Sequence, residues 1–141
     1  RIGSRAPLVS LDLLHLSVRT ERQWLFLGDR AEYVDGPSEA ELIGQTAVAL
    51  VECNAALAAQ GMPLLVVALE GHTANKEPVA FNETLSLQRA ERVRADVLFA
   101  MLLLPTNSMS HAALQRHVLA RGLGGSVKLE RCVELRVLPP S

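Results

Sequence analysis

Arg89 is the residue whose position asks most of its surroundings. It stands on an apolar stripe made of Leu85, Val93, Val97, Ala100 and Leu104, spaced as one face of a helix. A guanidinium on such a face is partly buried, and a buried charge without a partner is strongly destabilising. Two kinds of partner suit it. One is a ligand carboxylate gripped by both arms of the fork; the other is an acid within the chain, such as Glu70. Upstream, Glu70-Gly71-His72-Thr73-Ala74-Asn75 follows an apolar run, so His72 and Thr73 are expected in a loop at a strand end, where ligand groups collect. Asn82 reads as a cap of the second helix or a bond across that loop.

The remaining reactive residue types lead nowhere. His111 and His117 are six apart, the wrong spacing for two ligands on one helical turn, and no carboxylate or thiol cluster completes a metal site. Cys53 and Cys132 lack any CxxC spacing or neighbouring base, and read as two reduced, buried thiols, with a disulfide as the alternative. Gly122-Leu123-Gly124-Gly125 precedes a strand rather than a helix, which argues against a phosphate loop. No catalytic residue, metal or cofactor is expected, and the chain reads as a non-enzyme.

The elements that would position Arg89 can be placed from periodicity. Leu8 to Val18 alternates apolar and polar over its first half and reads as one strand, hairpin-paired to Trp24-Leu25-Phe26-Leu27. Ser38 and Glu41 form a capping box behind Pro37 and start a helix over 38–60. That helix carries Ile43, Ala47, Leu50, Val51, Asn54, Leu57 and Ala58 on one face, and Gly61 and Pro63 end it. A strand over 64–70, a helix over 82–104 closed by Pro105, a short helix begun by Ser110, and strands at 118–121 and 132–138 follow. Leu50, Val51, Leu57, Val66, Leu85, Val93, Val97 and Val133 are the expected core. The order predicts an α/β sandwich: a mixed β-sheet with two long helices on one face. Residues 1–23 form a lead-in with an extra strand, and 24–138 the domain proper.

Bulk composition narrows the function classes. In 141 residues, 49% are hydrophobic and 21% charged, which suits one globular domain with an aliphatic core. The net charge is −1 with signs interspersed, so there is no basic face for nucleic acid. The longest apolar run, Val97 to Pro105, is half of what a membrane span needs, so no membrane-spanning segment is expected. The chain begins at Arg1 without signal-peptide architecture and reads as an excerpt of something longer.

Gly71-His72-Thr73, Asn82, Leu85-Ser86, Arg89-Ala90 and Val93 together resemble the signature G-H-T-D…N…L-S-x-x-R-A-x-x-V of OmpA-like domains. Outer-membrane protein A, peptidoglycan-associated lipoprotein and the flagellar stator protein MotB share that signature. Trp24 to Leu27 is placed like the family's first core strand. Ala120-Arg121-Gly122-Leu123-Gly124 is similar to its A-x-G-x-G turn, and Arg131-Cys132-Val133-Glu134-Leu135 to its R-R-V-E-I strand, with Cys132 replacing the second Arg. The stretch between Gly125 and Arg131 is shorter than in most relatives.

The resemblance implies an OmpA-like fold and a non-catalytic domain of the cell envelope or periplasm. Its members grip the diaminopimelate of the peptidoglycan stem peptide, an Asp meeting the ammonium and an Arg the carboxylate. Carried over, the Arg is Arg89, and His72, Thr73, Asn82 and Asn75 stand nearby as ligand-binding candidates. The Asp position is Ala74. Losing a charge-assisted bond of roughly 1.5–3 kcal/mol implies weakened or lost stem-peptide binding. The alternative is a scaffold that binds other protein subunits.

Overall fold

The computed structural model describes residues 7–74, 78–126 and 131–139. The chain forms β1 (Val9–Asp12), β2 (Ser17–Thr20), β3 (Trp24–Leu25), α1 (Gly36–Ala59), β4 (Val67–Ala74), α2 (Val79–Leu103), α3 (His111–His117), β5 (Val118–Ser126) and β6 (Cys132–Val137). Four strands make the main sheet in the order β3-β6-β4-β5, with β4 and β5 parallel and the other pairs antiparallel. The predicted mixed sheet under two long helices is what forms. Leu42 and Leu50 of α1 and Val93 and Val97 of α2 share one core with Val67, Leu69 and Val133 of the sheet. Both helices therefore lie on the same face.

The segment 8–18 is not one strand. Its two halves, β1 and β2, pair with each other as a separate hairpin, Val9 opposite Thr20 and Asp12 opposite Ser17. The Asp12 carboxylate accepts from the amides of Leu14 and His15, both at 3.0 Å, and Leu16 takes a left-handed backbone (φ 52°). A side-chain cap of this kind turns the chain without Gly or Pro, so the unbroken leucines hide the turn. The hairpin lies against α1, with Val18 buried and Val9 and Leu11 partly so. β3 is thereby free to pair with β6, Trp24 opposite Val133.

Helix α1 starts two residues early. Asp35, not Ser38, is its N-cap, accepting from the Ser38 amide at 3.5 Å. The Ser38 hydroxyl instead accepts from Arg22 at 2.8 Å, and Arg22 also meets the buried Glu39 at 2.6 Å. At the other end Gly61, at φ 67°, follows the last turn as expected. By length and hydropathy α1 could cross a membrane, but here its apolar residues are the core of a sandwich.

β4 begins three residues after, and ends four residues after, the expected 64–70. Val66 is only half-buried, whereas the other expected core residues are buried. The Gly71-His72-Thr73 stretch is strand rather than loop, because β5 and β6 hydrogen-bond it from both sides. Gly71 faces α2, where any Cβ would overlap the Ser86 carbonyl oxygen, and a Cβ on Gly122 would stand 2.6 Å from the Leu87 nitrogen. These two glycines let α2 settle directly on the sheet. The expected turn at 122–124 is also strand, with a bulge: Gly71 pairs Gly122 but Thr73 pairs Gly125, and Gly124 sits at φ 75°. The Ser86 hydroxyl accepts from the Gly124 amide at 2.9 Å and holds the bulge against the helix.

Candidate functional site

Arg89 is brought to the sheet by the second half of the same device. From its place three residues after Ser86 its side chain runs over the end of β4 and is 1% exposed. Among the described residues it meets no acid through a hydrogen bond. Its Nε donates to the Arg30 carbonyl at 2.9 Å, one terminal nitrogen to the His72 carbonyl at 3.0 Å and the other to the Leu27 carbonyl at 2.8 Å. The guanidinium carbon also lies 5.6 Å from the Phe26 ring centre. Burial pulls its pKa down and Arg131 adds to this, while Asp29 opposes both. The expected internal partner, Glu70, is not used. Glu70 is taken by Arg121 at 3.5 Å and Arg136 at 3.8 Å, on the other face of the sheet. Main-chain carbonyls satisfy a buried cation because each lone pair replaces one water.

Arg89, Thr73 and Ala74 line one small cavity, together with Asp29, Phe81, Leu85 and Arg131. Its volume is about 10 Å³, room for roughly one water. The Thr73 hydroxyl is buried and has no hydrogen-bond partner among the described residues. Asp29 and Arg131 both hold left-handed backbones, φ 61° and 49°, a conformation that costs energy for residues other than glycine.

Among the described residues, His72 and Asn82 are not part of this cavity's lining. His72 points to the sheet face opposite Gly71 and α2, where its Nε2 lies 3.1 Å from Glu134. Asn82 is buried inside α2 rather than capping it, since the helix begins at Val79 behind Pro78. Asn75 lies outside the described residues. Asp29 and Arg131 were not foreseen as site residues. Arg131 carried a signal, since it opens the R-x-V-E-L strand; Asp29, in the loop after β3, carried none.

Two further arginines of α2 fasten the same surroundings. Arg92 donates to the Ala31 carbonyl and stacks 4.6 Å from the Tyr33 ring centre, and Tyr33 in turn donates to Asp96 at 2.6 Å. Arg94 donates to the carbonyls of Val118 and Gln115 at 2.6 and 3.0 Å. Helix α2 thus holds the loop after β3 with Arg89 and Arg92, and the start of β5 with Arg94. Both cysteines are buried and free; burial, helped by Glu134, pushes the Cys132 thiol up to about 11. Among the described residues no group of three metal-ligating side chains converges.

The chain has the fold of OmpA-like domains. It is similar to the structure of an outer membrane protein from Borrelia burgdorferi, at 16% identity and a TM-score of 0.59, covering 93% of this chain and 96% of that one. It is also similar to the periplasmic domain of MotB, at 12% identity and a TM-score of 0.52, covering 100% of this chain and 79% of that one. No family model matches the chain, and no curated protein matches it in sequence.

Proposed function

We propose that this chain is a non-catalytic OmpA-like domain of a cell-envelope protein whose stem-peptide site is weakened or lost, and that it acts through contacts with other protein subunits. One observation carries the reading: the Arg89 guanidinium is committed to the carbonyls of Leu27, Arg30 and His72. Three of its five N–H groups are used in this way, so at most two remain for a ligand carboxylate, and drawing the guanidinium off its carbonyls to meet one would cost about 1–3 kcal/mol for each acceptor left buried and unbonded. Ala74 offers nothing to an ammonium, and the cavity beside it holds about one water rather than an amino-acid end group. The envelope location rests on the OmpA-like signature, and the outer-membrane and periplasmic proteins of similar fold agree with it.

Asp29 favours a second reading. It brings a carboxylate to the cavity wall that also holds Arg89, Arg131 and the unpartnered Thr73 hydroxyl. In that reading the acid has moved from position 74 to position 29, and the cavity opens around a zwitterion. Co-sedimentation with purified peptidoglycan sacculi separates the two. Under the first reading the native chain stays in the supernatant, and Ala74→Asp raises retention by about ten- to a hundredfold at most. Strong retention of the native chain that is lost in Asp29→Asn supports the second. Strong retention insensitive to Asp29, Ala74 and Arg131 substitutions overturns both.

A further inference from the structure

We propose that two copies of this chain associate by pairing their β1 strands edge to edge, closing an apolar groove between β1 and α1. Strand β1 pairs only with β2 among the described residues. The Leu8 carbonyl accepts from the Glu21 amide at 2.7 Å, while the Leu8 amide donates to Gln45 at 2.8 Å; in the ladder that follows, Ser10 opposite Arg19 and Asp12 opposite Ser17 turn their main-chain groups toward β2. Val9 and Leu11 therefore turn theirs outward, to the free edge. Edges of this kind are commonly blunted by Lys, Pro or a bulge. Within Val9–Asp12 there is none, and the one charge is at the end.

Directly beside that edge lies a groove of about 320 Å³, lined by Val9, Leu11, Gly44, Val48 and Ala49 with Gln45 and Glu52 at its margins. Val48 is 41% exposed, and a Cβ on Gly44 would meet nothing within 4 Å, so the floor is open. The strand that completes it must bring apolar side chains at alternate positions on the groove side. β1 has that pattern itself: Val9 and Leu11 half-buried toward α1, Ser10 and Asp12 exposed away from it. A second β1 is thus the matching occupant, and a two-fold interface uses the same patch twice.

The register follows from the same residues. Pro7, which has no amide hydrogen, limits the edge on one side, and the turn capped by Asp12 limits it on the other. The pairable segment is 8–12, with Ser10 at its midpoint. An antiparallel pair centred there sets Val9 opposite the second copy's Leu11 as hydrogen-bonded pairs, and Ser10 opposite Ser10. It keeps Val9 and Leu11 of both copies on the groove side and the two Asp12 carboxylates apart. This inference does not depend on whether the wall site is open.

Sedimentation equilibrium and cysteine cross-linking test it. The native chain is expected to approach twice its monomer mass as concentration rises into the range of about 0.1–1 mM. Val48→Lys, a change at an exposed position, is expected to weaken association by about tenfold or more. Ser10→Cys is expected to form a disulfide-linked dimer under mild oxidant, since non-hydrogen-bonded antiparallel partners lie about 4.5 Å apart at Cα, within disulfide reach. Arg19→Cys, opposite Ser10 on β2 and exposed, is the control and should stay monomeric. The native cysteines are buried and give little background. A native chain that is monomeric throughout this range overturns the pairing, whatever other protein the edge captures. Equal cross-linking at positions 10 and 19 overturns it as well.

Discussion

Gly71 and Ser86 stand in direct backbone contact, strand against helix, with no space between them for a methyl group. The contact sets how deeply α2 seats on the sheet, and so where the Arg89 guanidinium arrives three residues further along the helix. Gly71→Ala must push α2 away from β4 along a main-chain contact that no rotamer change can relieve. Its expected cost is about 3 kcal/mol, at the upper end for overpacking, read as a lower midpoint in urea unfolding. A loss below about 0.5 kcal/mol would mean that α2 is not seated as described.

Arg89→Met keeps the apolar stem and removes the guanidinium. It leaves the carbonyls of Leu27, Arg30 and His72 without their donor, so a loss of about 3–5 kcal/mol is expected in the absence of any ligand. An arginine held only for a ligand would give a neutral or stabilising change in the same measurement.

Leu50 is 1% exposed in the middle of the core that α1 shares with the sheet. Leu50→Ala is expected to cost about 2–5 kcal/mol, depending on how far the cavity collapses. Calorimetric or denaturant unfolding checks it, and a change under about 0.5 kcal/mol would put this helix face in solvent.

Cys132 gives a pH signature. Its folded thiol titrates at about 11 against an ordinary 9.0, chiefly through burial and secondarily through Glu134. The folded state thus holds this proton more tightly than the unfolded one. The contribution is fully present below pH 9 and is lost as pH rises from 9 toward 11, because the unfolded chain ionises first. A fall of about 2–3 kcal/mol is expected across that window, and Cys132→Ala should show correspondingly less. Burial shifts Cys53 the same way, so both thiols should react with maleimide at pH 8 only on the timescale of unfolding. Equal slopes in native and Cys132→Ala protein would count against the buried thiol.

Much of this was legible in the sequence because it depends on local pattern. The helical stripes through Leu50 and Val93, the stop at Gly61 with its positive φ, the Ser110 cap and the alternating last strand are all set by neighbours a few residues away. So was the class of fold, since two apolar helices and a strand-rich remainder have few ways to cover one another. Strand limits were less legible. Gly71-His72-Thr73 looks like a loop by composition, and only hydrogen bonds from β5 and β6, contributed by residues about fifty to sixty positions away, make it a strand.

What the sequence determined by itself about the site was that a buried cation at position 89 had to be answered and that no acid stood at position 74. It could not say what answers it. That was decided by tertiary structure, because the acceptors are main-chain carbonyls, which every residue carries and no side-chain pattern announces. Leu27, Arg30 and His72 qualify only through where β3, its following loop and β4 come to rest beneath α2, which the Gly71–Ser86 contact permits. The same holds for Asp29 and Arg131. They are about a hundred residues apart in sequence, and the fold brings them to one cavity wall.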